Sequence, residues 1–131
     1  MIQLTLMSGS MSPTLPTGSR VRVQPDRLLP FRPGVIACFN AGGTLMVHRL
    51  LQEIRWGRRR WFIHRGDASR IPGLLGERDL VGRVTEVERE GRWEPLPDQP
   101  EPSVRDRLEC VVRLTGRILG RRGAQLCAPT L

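Results

Sequence analysis

Hydrophobic and polar positions alternate along much of the first 90 residues. Ile2, Leu4 and Leu6 stand against Gln3, Thr5 and Met7, the two-residue period of a half-buried strand. Arg20-Val21-Arg22-Val23-Gln24 repeats that period and predicts a second strand, which Pro25 ends. A short apolar run over 35–39 predicts a core strand, and Asn40-Ala41-Gly42-Gly43 a hairpin turn. The return strand covers 44–54. Trp56-Gly57-Arg58-Arg59-Arg60 predicts a further turn into a strand over 61–64, which Gly66-Asp67-Ala68-Ser69 breaks. Residues 70–79, with Pro72, Gly73 and Gly76, read as a loop, and 80–87 as the last strand. Residues 91–103 are rich in proline and acids and read as a linker. Beyond it the period changes. Val104, Leu108, Val111, Val112, Ile118 and Leu119 recur at helical spacing with arginines between them, predicting one amphipathic helix over 103–122. The pattern as a whole predicts a mainly β fold in three parts: a β core over 1–90, a linker over 91–103, and a basic helix and tail over 104–131.

At 131 residues the chain has room for one modest core. The formal charge is +8, and all 21 basic residues are arginine. Residues 1–102 carry 15 arginines against 11 acids, and residues 103–131 carry 6 against 2, so the tail is about as cationic as the rest of the chain. The absence of lysine restricts chemistry, because arginine stays protonated and cannot act as a general base. Cys38, Cys110 and Cys127 form neither a metal-ligand spacing nor a disulfide framework and read as small apolar residues. No metal or other cofactor is expected. No run has the length of a membrane span, and residues 1–7 lack the features of a signal peptide. A cytoplasmic or peripheral-membrane protein is the expectation. An anionic membrane surface is the candidate partner for the basic helix, with packing of its apolar stripe against the β core as the equal alternative. The arginines between Trp56 and Trp61 suit nucleic-acid stacking, but a solvated hairpin tip is the favoured reading.

One stretch stands apart: Ser8-Gly9-Ser10-Met11-Ser12-Pro13-Thr14-Leu15-Pro16. It follows the first predicted strand, and Gly9 permits a sharp turn. A serine on such a turn exposes its Oγ and leaves backbone N–H groups available to an oxyanion. An ordinary Ser/Gly/Pro turn is the alternative. A nucleophilic serine needs a base, and histidine suits that role near neutral pH. The chain has two histidines, His48 and His64.

Ser8-Gly9-Ser10-Met11-Ser12-Pro13-Thr14-Leu15 resembles the nucleophile box of type I signal peptidases, and the following 16–23 is similar to the strand after it. Val47-His48-Arg49-Leu50 resembles the Val-His-Arg box of the archaeal and endoplasmic-reticulum branch, in which histidine replaces the lysine base. Gly66-Asp67 resembles the Gly-Asp box, and 80–84 the strand that closes the core. The resemblance covers about residues 2–88, in order. It implies the β-ribbon catalytic core shared with self-cleaving repressors, followed here by the C-terminal amphipathic helix, and a serine endopeptidase acting on a precursor or leader peptide. Ser10 would be the nucleophile, with Ser12 as a less favoured alternative. His48 would be the base, with His64 the lesser candidate. Asp67 would orient His48, with Asp79 as runner-up. The Ser10 N–H and Ser8 hydroxyl would form the oxyanion hole. Substrate would lie along 2–7 against Leu4, Leu6 and Met11 and be cut after small residues. The sequence departs from the family pattern where Gly34 is followed by Val35 rather than aspartate, and where Ala68-Ser69-Arg70-Ile71-Pro72 follows Gly66-Asp67. Those departures leave a rival of another class, a lapsed module on the same fold that binds a peptide or nucleic acid.

Overall fold

The computed structural model describes residues 1–96 and 104–124. Eight strands form one antiparallel sheet: β1 (Ile2–Thr5), β2 (Arg20–Pro25), β3 (Ile36–Ala41), β4 (Thr44–Trp56), β5 (Arg59–Arg65), β6 (Gly73–Gly76), β7 (Leu80–Arg89) and β8 (Arg92–Pro95). A 3₁₀ turn, Glu77–Asp79, precedes β7, and helix α1 (Val104–Ala124) follows the sheet. Neighbours run β1-β2-β7-β3-β4-β5-β6. β7 gives one side to β2; on the other its first half pairs with β3 and its second half with β8. β1 lies at an edge, held by Ile2 opposite Val23 and Leu4 opposite Val21. The mainly β expectation therefore holds.

The core divides in line with the alternation. One cluster gathers Val21, Val23, Ile36, Cys38, Val47, Val84 and Val87 with Met11 and Leu15 from the Ser10 turn, and Ile2, Leu4 and Leu6 pack against it. Leu29, Ala37, Phe39, Leu50, Phe62, Leu75 and Leu80 make a second. Leu51 and Ile63 make a third with Cys110 of the helix.

Two sequence expectations need correction. Residues 73–76 are not loop but strand β6, paired with β5. Their glycines carry partner rings: a Cβ on Gly73 would lie 2.6 Å from His64, and one on Gly76 3.2 Å from Trp61. The start of the expected linker is strand β8, so β7 is not the last strand. Trp93 of β8 lies beneath the Arg22 guanidinium, 4.0 Å from Cζ to the ring centroid, and Leu96 packs on the first cluster. Helix α1 packs on the sheet through part of its apolar face. Cys110 is buried and Leu114 packs beside it, whereas Leu108, Val111 and Val112 are exposed. Arg107 anchors this contact by donating to Gln52 Oε1 from Nε and Nη2. The side chains of Val104, Ile118 and Leu119, and residues 97–103 and 125–131 of the expected linker and tail, lie outside the described residues. Among the described residues no helix is long and apolar enough to cross a membrane.

Candidate active site

The Ser10 turn is anchored from below and from the side. Met11 and Leu15 are 1% and 0% exposed, each contributing about 1.5–3 kcal/mol of burial. The burial of Met11 corrects its expected role: its side chain belongs to the core and is not offered to a substrate. Leu4 and Leu6 also turn inward against that core, which leaves the outer edge of β1 as backbone. From the side, the 66–68 turn grips Ser10. The Ala68 N–H donates to the Ser10 carbonyl at 2.9 Å, and a Cβ on Gly66 would lie 2.5 Å from that same oxygen. Only glycine allows this approach. Ser10 Oγ is in contact with Ser8 Oγ at 3.2 Å. No hydrogen bond joins Ser10 to His48 among the described residues.

Asp67 gathers three separate segments. Its carboxylate accepts from Arg49 Nε at 2.8 Å and Nη2 at 2.6 Å, a two-point pair. It also accepts from Thr14 Oγ1 at 2.6 Å. Arg49 Nη1 continues to the Gly34 carbonyl. Burial raises the Asp67 pKa, but hydrogen bonds from Arg49 and Thr14 and the charges of Arg49 and Arg65 outweigh it, and the net shift is downward. The expected orienting hydrogen bond, in which His48 would donate to Asp67, is not made among the described residues. Asp67 reaches His48 through its charge and ties the Ser10 turn to β4 through its bonds. Asp79, the runner-up, follows β6 at the end that pairs with Trp61, whereas His64 pairs with Gly73 at the other end. Asp79 lines a cleft there with Arg59, Trp61 and Arg78.

His48 finds a different partner. Its Nδ1 lies 2.9 Å from His64 Nδ1. Simple hairpin register would place His64 opposite Leu51 and on the wrong face. A bulge between Leu50 and Gln52 shifts the pairing to Leu50↔His64. His48, two residues from Leu50, is then a same-face diagonal neighbour of His64. The Phe39 ring sits against both, 4.6 Å from His64 and 6.0 Å from His48 between centroids. Burial lowers the His48 pKa, while the Asp67 charge opposes the shift. Burial, then the His48 charge, pushes His64 down to about 4. Both imidazoles are accordingly neutral at pH 7.

The histidine shift has a sign for stability. The unfolded imidazole takes up its proton near 6.5, and folded His64 resists until about 4. Unfolding thus binds a proton between those values, and stability is lost as pH falls through that window. After allowance for partial exposure, the loss is about 2 kcal/mol. Denaturant midpoints at pH 7.5 and 4.5 measure it, and His64→Phe should flatten the difference.

Sequence reasoning gave no role to Thr14 or Arg49 and only a lesser one to His64. Thr14 and Arg49 lie within the quoted boxes. The signal for His64 was its place two residues before Gly66. Burial pushes the Cys38 thiol up to about 11, so it is no nucleophile at neutral pH. Trp56 and Arg58 are exposed at the hairpin tip, while Arg60 is held by Glu53 and the Leu29 carbonyl. That arrangement suits a solvated tip. Among the described residues no cluster of three or more metal-ligating side chains occurs. Compared with known proteins, the chain matches no family model and no curated sequence.

Proposed function

We propose that this chain is a serine endopeptidase of the signal-peptidase type, with that family's β core, cleaving a precursor or leader peptide after small residues. The observation that carries the reading is the convergence of three boxes far apart in sequence. Thr14 from the nucleophile box and Arg49 from the Val-His-Arg box meet on Asp67 of the Gly-Asp box. The next residue, Ala68, holds the Ser10 carbonyl. Ser10 Oγ attacks the scissile carbonyl as its proton passes to His48 Nε2, forming the Oγ–C bond. The C–N bond then breaks, and the leaving amine takes that proton. Water hydrolyses the acyl-enzyme by the reverse transfer. The Ser10 N–H and the Ser8 hydroxyl stabilise the oxyanion. Substrate adds as an extended strand along the open edge of β1.

The exposed Leu108, Val111 and Val112 beside Arg105 and Arg113 suit an anionic membrane surface that would bring the enzyme to its precursor. A second reading, the lapsed binding module, draws on the missing Ser10–His48 hydrogen bond, although such bonds are often long before substrate binds.

A serine-directed acylating inhibitor separates the two. Intact mass should show one adduct, absent from Ser10→Ala. The acylation rate should rise with pH through a pKa below 6.5, because His48 is shifted down, and level off by about pH 7. An unmodified protein, or an adduct that persists in Ser10→Ala, counts for the binding module.

A further inference from the structure

The contact between the two imidazoles has a direction that matters. At 2.9 Å, one Nδ1 must donate and the other accept. If His64 donated, neutral His48 would carry its own proton on Nε2 and could not receive one there. If His48 donates, its Nε2 lone pair is free. We propose that His64 is a positioning residue: its Nδ1 accepts the His48 Nδ1–H, holding His48 in the tautomer and orientation that leave Nε2 open as the base. This rests on the peptidase reading above and adds a residue to it.

Three further features favour this direction. His48 must carry protons on both nitrogens once it has taken the one from Ser10, so it can only donate to His64 at that stage. With His48 donating from the start, no tautomer has to change during turnover. The environment also keeps His64 the more reluctant of the two to protonate. It is the more deeply set, with Phe39 of β3 against its ring and Gly73 of β6 directly beneath it. The neighbouring charged groups are accounted for. Arg49 of β4 is bound to Asp67, and Arg65 of β5 donates to Cys110 Sγ while adding its charge near Asp67. The two services that one carboxylate gives in a Ser-His-Asp site are divided here. His64 takes the hydrogen bond, and Asp67 supplies the negative charge that favours imidazolium on His48.

The arrangement has a local basis in sequence. The bulge at Leu51 sets His64 on the His48 face, and a side chain at position 73 would occupy the space of the ring.

The test uses the full chain and two independent measurements. Long-range ¹⁵N correlation spectra at pH 7.5 assign the tautomers directly. His48 should be protonated at Nδ1 and bare at Nε2, with His64 bare at Nδ1. Acylation of Ser10 by the inhibitor is then compared in His64→Leu and His64→Asn. Asparagine places Oδ1 close to the position of Nδ1 and can accept the same hydrogen bond; leucine cannot. His64→Leu should acylate more slowly by about 10²-fold, the low end of what a general base contributes. His64→Asn should recover to within about fivefold of the parent, a small residue of that same contribution. Melting temperatures of both variants identify any loss of fold, and the spectra of the parent decide the direction even if a variant fails to fold. Equal rates in folded Leu and Asn variants, or a proton on His64 Nδ1, would overturn the proposal. If the parent chain itself is never acylated, the peptidase reading falls, while the spectra still decide whether His48 donates to His64.

Discussion

Ser10→Ala should lose peptide cleavage, with kcat/KM falling on the order of 10⁴- to 10⁶-fold, while Ser12→Ala keeps most of it. The magnitude is that of removing a nucleophile from a serine protease. The contrast between the two serines comes from their surroundings. The Ser10 carbonyl is fixed by Ala68, and its hydroxyl is in contact with the neighbouring Ser8 hydroxyl. Ser12 closes the turn through its own N–H to the Gly9 carbonyl. No hydrogen bond joins Ser12 to the 66–68 turn among the described residues. The measurement is cleavage of extended peptides with small residues before the scissile bond, followed by mass spectrometry, with the melting temperature of each variant recorded. Equal losses in two folded variants would remove Ser10 from its role.

Asp67→Ala should destabilise the fold by about 3 kcal/mol, the usual cost of breaking a buried ion pair from one side. The side chains of Arg49 and Asp67 are only 12% and 16% exposed, so Arg49 would keep its charge with little water to replace the carboxylate. Thr14 would lose its acceptor in the same change. Asp67→Asn should fall between, since an amide oxygen can still accept from Thr14 or Arg49 without the charge. Urea midpoints of the three proteins measure the effect. A loss below about 1 kcal/mol would place the pair with ordinary surface ion pairs. Cleavage should fall with stability but by a separate route, because the bonds of Asp67 also hold the turn beneath Ser10.

Most of the sheet was legible because its strands alternate and its turns carry glycine or proline. Three features were not. β6 has only Leu74 and Leu75 between two glycines, and those glycines are there for the rings of His64 and Trp61, which no local pattern reveals. β8 lies in a stretch of proline and acids, and it pairs because Trp93 has two arginines of β2 to stack beneath. The helix was readable as a helix but not by its inner face. Cys110, set aside as a small apolar residue, is the buried contact with Leu114 beside it, while Leu108, Val111 and Val112 are exposed. At the candidate site, position along the chain identified the segments that meet. It could not identify the bonds, because the partner of His48 depends on one bulged residue in β4. Composition helped where it was extreme. Without lysine, the number of candidate bases falls to two histidines, and the structure places them side by side.

The 66–68 turn has a consequence for how activity would fail. It holds the Ser10 carbonyl through Ala68, carries the charge that acts on His48, and begins two residues after His64. In the proposed mechanism, nucleophile and base therefore share this one support, beside the buried Met11 and Leu15 that anchor the first and the His64 contact of the second. On that reading, a local opening that frees this turn would loosen both at once. Deuterium uptake at the Ala68 amide measures that opening. That single proton would report how often the candidate site comes apart short of global unfolding.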